Sequence, residues 1–273
     1  MADPSKLPFL LKLLEDDSPV VRAALAEELS SLGPLLPQAL AGLPFGLDPG
    51  QKQILFDLLA ERQRAVLREN WPAWKTLQGN AEKMEAAYRL LTDFQNGPFH
   101  KTDLTRLLDV LADEYRSLEG SGDPYRLAHF LFKTKGLRGA GEESYYDPAN
   151  SNLAYVIESG RGLPISLCAV YLLTGYRLGI PIEGCAYPGH FLARVDLGGT
   201  RYLADCFHGA QFLEEELFWK DHPTEHEQEL RGPVSAEAWM RRVLNNLLEA
   251  YRRSAFSPDA EIVQELLDDG NQG

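Results

Sequence analysis

The segment Pro164–Leu178 constrains the fold more than any other part of the chain. It contains Ile165, Leu167, Cys168, Val170, Tyr171, Leu172, Leu173 and Tyr176, and Arg177 is its only charge. Residues 164–178 have the length and end signals of a helix, with Pro164 suited to the first turn and Gly179 to the exit. A helix that is apolar nearly all round has no face to give to water, so other elements must surround it. The chain beyond it changes character. Residues 180–187, 190–197 and 200–207 read as strands, the last two joined by Gly198-Gly199, a good two-residue hairpin turn. A buried helix beside an antiparallel sheet, with helical sequence before and after it, makes the expected class α+β.

The hairpin carries a geometric deduction. Pairing Leu197 with Thr200 sets Leu192 opposite Asp205. Side chains alternate along a strand, so His190 shares the face of Leu192 and of its cross-strand partner Asp205. His190 and Asp205 are then diagonal neighbours, within reach of an imidazole–carboxylate contact. A helix followed by a sheet bearing His and Asp on one face is half of a cysteine-type catalytic constellation.

The first 120 residues read as almost wholly helical. Leu7, Leu10, Leu11 and Leu14 recur at helical spacing. Asp17-Ser18-Pro19 then separates them from a second apolar face built on Val20, Val21, Ala24, Leu25, Leu29 and Leu32, which Gly33-Pro34 ends. This pair resembles one HEAT-type repeat, and one unit does not make a solenoid. Pro37, Gly42, Pro44, Gly46, Pro49 and Gly50 predict a loop. Helical patterns resume over 51–69, 74–92 and 102–119, and Ser121-Gly122-Asp123-Pro124 is a break before a short helix over 125–133. Asn150 or Ser151 is placed to cap a helix ending at Gly160. Residues 236–251 are amphipathic, 262–267 predict a last helical turn or two, and 268–273 predict a frayed end.

Charge narrows the function classes. The chain has 273 residues and a net charge of -13, and its last 63 residues hold 14 acidic against 6 basic side chains. Such a surface repels phosphate, which disfavours nucleic acid and anionic membrane as partners. No apolar run is long enough to span a bilayer, and the first residues lack the basic start of a secretory signal. Cys168, Cys185 and Cys206 are odd in number and lack C-x-x-C spacing, so neither a disulfide framework nor a zinc ribbon is expected, and a reducing cytoplasm is the expected compartment. His222 and His226, with Asp221 and Glu225 beside them, have metal-ligand spacing, but Pro223 interrupts the helix such a site prefers. The segment reads as a solvated acidic loop. Glu214-Glu215-Glu216 reads as an exposed helix start favoured by the dipole. No metal and no cofactor is expected.

Four motifs occur in order: Tyr145-Tyr146-Asp147-Pro148-Ala149-Asn150-Ser151, Gly162-Leu163-Pro164-Ile165-Ser166-Leu167, Leu178-Gly179-Ile180-Pro181 and Pro188-Gly189-His190-Phe191-Leu192. Together they resemble the bacterial SirB-one type of transglutaminase-like protein, specifically over about 125–210 and loosely through Arg241-Arg242-Val243-Leu244-Asn245-Asn246-Leu247. The resemblance implies an α+β, papain-like core over 121–210. The residue patterns themselves give a helical region over 1–120, with its one HEAT-like hairpin, and an acidic loop with C-terminal helices over 211–273. There relatives run on into tetratricopeptide-like helices, and the chain stops too early for a full array.

In active members of the wider superfamily, a Cys at the start of the central helix is the nucleophile, a strand His the base and an Asp on the next strand its orienter. His190 and Asp205 fall on the last two positions. The nucleophile position falls on Pro164, a proline that relatives of the SirB-one type commonly share. Relatives usually read Asp-Pro-Phe-Asn-Gly-Gly where this chain reads Asp205-Cys206-Phe207-His208-Gly209-Ala210. Proline has no nucleophile and no N–H for an oxyanion. Cys168, one turn deeper on the same helix face, and Ser166, nearer its start, are the alternative nucleophiles. Their ordinary readings are core packing for Cys168 and a first-turn backbone hydrogen bond for Ser166. Cys185 and Cys206 read as packing residues, and Asp147 and Asn150 as caps.

The expectation is therefore a catalytically degenerate transglutaminase-like protein, a regulatory or interaction module for a protein or peptide partner. The alternative is a cysteine-type acyl-transferase or hydrolase using Cys168 or Ser166 with His190 and Asp205. A third possibility, small-ligand or peptide binding in the vestigial cleft, needs no nucleophile.

Overall fold

The protein is described here by a computed structural model that covers residues 3–43, 46–98, 103–118, 122–254 and 257–269. The chain divides into two compact units, Met1–Asn70 with Asp93–Thr102, and Trp71–Thr92 with Asp103–Gly273.

The first unit is helical. α1 (Leu7–Leu10) continues into a 3-10 turn, Leu11–Leu13, and is followed by α2 (Pro19–Ser31), α3 (Leu36–Ala41) and α4 (Pro49–Asn70). Leucines make its core: Leu7, Leu14, Leu25, Leu29, Leu55 and Leu59 are all buried in one cluster. α3 replaces part of the loop expected over 37–50. Pro37 sits in the first turn of α3, where a helix needs no N–H, so the proline starts the helix rather than breaking it. Pro44 of the same expectation lies outside the described residues.

The second unit holds the site. It begins with a 3-10 segment (Trp71–Thr76) and α5 (Asn80–Asn96), whose residues from Asp93 on belong to the first unit, and continues with α6 (Leu104–Leu118), α7 (Pro124–His129) and a π-helical turn (Phe130–Thr134). The short strands β1 (Arg138–Gly139) and β2 (Arg161–Gly162) pair in parallel on either side of α8 (Leu153–Ser159). α9 (Pro164–Leu178) follows, buried along almost its whole length from Pro164 to Gly175, as its composition required. Its C-cap Gly179 has φ 69°, the left-handed conformation that Gly enters freely.

Next comes an antiparallel meander of β3 (Glu183–Cys185), β4 (Leu192–Leu197), β5 (Thr200–Asp205) and β6 (Gln211–Glu214), in that order. Leu197 pairs with Thr200, the register deduced from the Gly-Gly turn. β6 escapes the sequence reading because it is an edge strand with exposed and half-buried residues and no apolar alternation. β3 is shorter than expected: its ladder spans the three pairs from Glu183 with Arg194 to Cys185 with Leu192. α10 (Glu215–Asp221), α11 (Glu227–Leu230), α12 (Ala236–Arg253) and α13 (Ser257–Asp269) complete the chain.

α12 closes over the sheet. The Trp239 ring stands 4.4 Å from that of Phe191, edge-on, and Trp239 Nε1 donates to the Tyr88 hydroxyl at 3.1 Å. Gly184 on β3 permits this approach, since a Cβ there would fall 2.4 Å from the Trp239 ring. α13 is a full helix where only a turn or two was expected. It includes Asp268 and Asp269 of the segment expected to fray, and 270–273 lie outside the described residues. Among the described residues no helix is long and apolar enough to cross a membrane.

Candidate functional site

His190 precedes β4 on a tight turn rather than lying in the strand. Its N–H donates to Tyr187 O at 3.0 Å, and Gly189 takes φ 76° to close the turn. Arg242 of α12 reaches over and donates to the carbonyls of Tyr187 (3.2 Å) and His190 (2.9 Å), clamping the segment that presents the imidazole. Asp205 ends β5. Its Oδ1 accepts from the N–H groups of Phe207 (3.1 Å) and His208 (3.2 Å), an Asx-type turn. Its Oδ2 lies 2.9 Å from Nε2 of His190 and 2.8 Å from Nδ1 of His208. The His190–Asp205 contact expected from the hairpin is therefore present, and the ring N–H is not aimed along it: His190 Nε2 is buried without a linear hydrogen bond.

Burial of Asp205 pushes its carboxyl pKa up, but the contacts from His190 and His208 outweigh burial and hold it down to about 2. The second imidazole is the feature that sequence reasoning passed over. In sequence His208 stands out only as a departure from the relatives' turn, and the Asx turn folds it back onto the carboxylate.

The nucleophile candidates are elsewhere. Pro164 occupies the first turn of α9 and is buried. Ser166 is fully buried, and its hydroxyl donates to Asn150 O at 2.8 Å. Cys168 is fully buried with its sulfur 3.6 Å from Phe191 O. Burial first, then the neighbouring Cys206 and Asp205, push the Cys168 thiol well above its ordinary value, the opposite of what a nucleophile needs. Among the described residues no hydrogen bond joins Ser166 or Cys168 to His190. Cys185 and Cys206 are also buried free thiols, and burial pushes Cys185 up to about 11.

Other expectations need correction. Asn150 caps no helix; its side-chain amide donates to Ser144 O (2.6 Å) and Tyr145 O (3.2 Å), while Asn152 caps α8 through the N–H groups of Ala154 and Tyr155. Asp147 does cap, accepting from Ala149 N at the 3-10 turn Pro148–Ser151. Glu215 is not exposed. It is 1% accessible, and its Oε1 accepts from Arg194 Nε (2.9 Å) on β4 and Trp219 Nε1 (3.2 Å). Nothing in a run of three glutamates tells which one turns inward. His222 stacks on Phe218, with Nδ1 3.0 Å from the Phe218 carbonyl, and His226 is exposed. Among the described residues, His190, Asp205 and His208 are the one group of three or more His, Cys, Asp or Glu side chains close enough to share an ion.

A buried helix packed on an antiparallel meander, with a His–Asp pair at the sheet end, is the core arrangement that the motif resemblance implied. The profile of the transglutaminase-like superfamily matches residues 101–245, more than half of the chain, and the chain belongs to that superfamily. A UPF0162 protein of Xylella fastidiosa (strain 9a5c) is 38% identical over 117 residues, 42% of this chain and 40% of the relative. A UPF0162 protein of Vibrio cholerae is 34% identical over 59 residues, 22% of each chain. F-box only protein 21 of Homo sapiens is 27% identical over 135 residues, 45% of this chain and 21% of the relative. The chain thus spans two-fifths or less of the length of these relatives. No solved structure matches it significantly.

Proposed function

We propose that the chain is a SirB-one type, catalytically degenerate transglutaminase-like protein that acts as an interaction or regulatory module for a protein or peptide partner in the cytoplasm. One observation carries the reading: the start of the central helix holds Pro164, and neither hydroxyl nor thiol nearby reaches the His–Asp pair. Ser166 spends its proton on Asn150, and Cys168 is turned into the core. The motif residues that remain do structural work, with Asn150 and Ser166 tying the 3-10 turn at 148–151 to α9. A human relative named an F-box only protein matches over 21% of its length, which supports a domain that serves as one part of a larger assembly.

The test is covalent trapping. The folded chain is incubated with a glutamine-peptide or thioester acyl donor and read by intact mass and peptide mapping. No acyl adduct is expected on Cys168 or Ser166. A stoichiometric adduct on either residue that disappears in His190→Ala would replace this reading with the acyl-transfer one.

A further inference from the structure

We propose that His190, Asp205 and His208 form a binding site for one divalent ion of the zinc class. The donor atoms are Nε2 of His190, Oδ2 of Asp205 and Nδ1 of His208, all within 4.8 Å of one another. Two imidazole nitrogens and one carboxylate oxygen suit a late first-row transition ion, whereas Ca2+ and Mg2+ favour all-oxygen sets.

Three features show a built arrangement rather than chance proximity. The first is the division of labour within Asp205. Backbone N–H groups of Phe207 and His208 hold Oδ1, so the carboxylate cannot rotate freely and Oδ2 is left facing both rings. The second is the turn itself. Ala210 N donates to Asp205 O at 2.7 Å, with Gly209 at φ 78° and Ala210 at φ 57°, and this loop fixes where His208 can go. A non-glycine residue held in the left-handed region marks a conformation that the surroundings impose. The third is His190. Its Nε2 is buried 2.9 Å from Oδ2 yet makes no linear hydrogen bond, and its backbone is clamped by Arg242. A buried ring nitrogen whose polar neighbour is a poorly aligned carboxylate is under-satisfied, and a metal ion shared with that carboxylate would satisfy both.

Donors bound ~2.1 Å from a shared ion stand about 3.4 Å apart in a tetrahedron, so an ion would part Asp205 Oδ2 slightly from both rings. His208 can supply that movement, because its side chain is 61% exposed. Three protein donors leave a fourth position open to water or to a group from a bound partner. The net charge of -13 favours cation approach. The inference does not rest on the cleft being catalytically silent.

The experiment is calorimetric titration of the full chain with Zn2+ near neutral pH, repeated with Co2+ followed by its visible absorption. One equivalent is expected to bind, with Ca2+ and Mg2+ failing to compete. His208→Asn is expected to lower affinity at least tenfold, since losing even a ligand's supporting partner costs about 10–100-fold. The paired change His222→Asn with His226→Asn is expected to leave affinity unchanged. Equal Zn2+ affinity in the native protein and His208→Asn, or failure of the native protein to bind, would overturn the proposal. Should His208→Asn not fold, broadening of imidazole NMR signals by Co2+ in the native chain decides the matter. Broadening at His190 and His208 supports the site, and broadening confined to His222 or His226 refutes it.

Discussion

Asp205 divides its two oxygens between the backbone and the imidazoles, and both halves have consequences. Removing the side chain gives the exposed His208 N–H to water and leaves the part-buried Phe207 N–H unpaired, at a cost of roughly 1–3 kcal/mol. Asp205→Ala should therefore lower stability by that amount in urea unfolding, while Asp205→Asn, whose carbonyl can still accept from the turn, should lose less. The carboxyl pKa falls from 3.8 in the unfolded chain to about 2 in the folded one. A depressed pKa stabilises the fold above the unfolded value and loses that stabilisation as pH falls through the folded value. About 2 kcal/mol should thus disappear between pH ~4 and ~2, and the Asp205→Asn chain should show a shallower loss across the same window. Cys168 makes the opposite case: alkylation at neutral pH should modify it only after unfolding, as its burial requires. Pro164→Cys asks whether the start of α9 can activate a thiol. The helix dipole would pull the new thiol below about 8.5, while simple burial would push it higher. With the three native cysteines removed, a thiol that titrates low and returns upward in His190→Ala would show a preserved cleft. One that ignores His190 would make the pair purely structural.

Among the elements, the sheet is held from both sides by contacts that local pattern does not reveal. Arg194 of β4 is 2% accessible. It donates to Glu215 at the start of α10 and, through its two terminal nitrogens, to the carbonyls of Leu230 and Gly232. Removing Glu215 leaves Arg194 with only the half-exposed Glu183, 3.7 Å away, so Glu215→Ala should cost up to about 3–5 kcal/mol. A double change of Arg194 and Glu215 to apolar residues should recover part of it, and a double-mutant cycle in urea measures the difference. On the opposite side, α12 lies on β3 through Trp239 and Gly184. Gly184→Ala should cost roughly 1–3 kcal/mol by overpacking, because the nearest indole atom stands 2.4 Å from the added carbon.

At the scale of the molecule, charge and core act separately. With 40 acidic against 27 basic side chains, self-repulsion opposes compaction at neutral pH. Added salt up to about 0.15 M should therefore raise the melting temperature by screening, since exposed charges interact over about 8 Å at that ionic strength. A melting temperature that falls with salt would show that favourable ion pairs such as Arg177 with Glu85 and Asp109 dominate instead. Each compact unit has its own apolar interior, leucine-lined in the first and aromatic in the second, where Tyr88, Tyr171, Phe191, Trp219 and Trp239 are buried.

What the sequence determined by itself was whatever follows from local periodicity and turn chemistry. The burial of α9 follows from having one charge in fifteen residues. The register of β4 against β5 follows from Gly198-Gly199, and the meeting of His190 with Asp205 follows from that register. The tertiary structure alone decided matters that depend on which distant groups arrive. β6 pairs because β5 offers an edge, Glu215 turns inward because Arg194 waits there, and Leu36–Ala41 coils because the leucine core accepts it. His208 belongs to both kinds. The Asp205 turn that folds it back is local, while the second imidazole it meets is held in place by Arg242 from a helix some fifty residues away along the chain. Long-range partners of this sort leave no periodic trace in sequence, because burial energy depends on who is adjacent in space rather than in order.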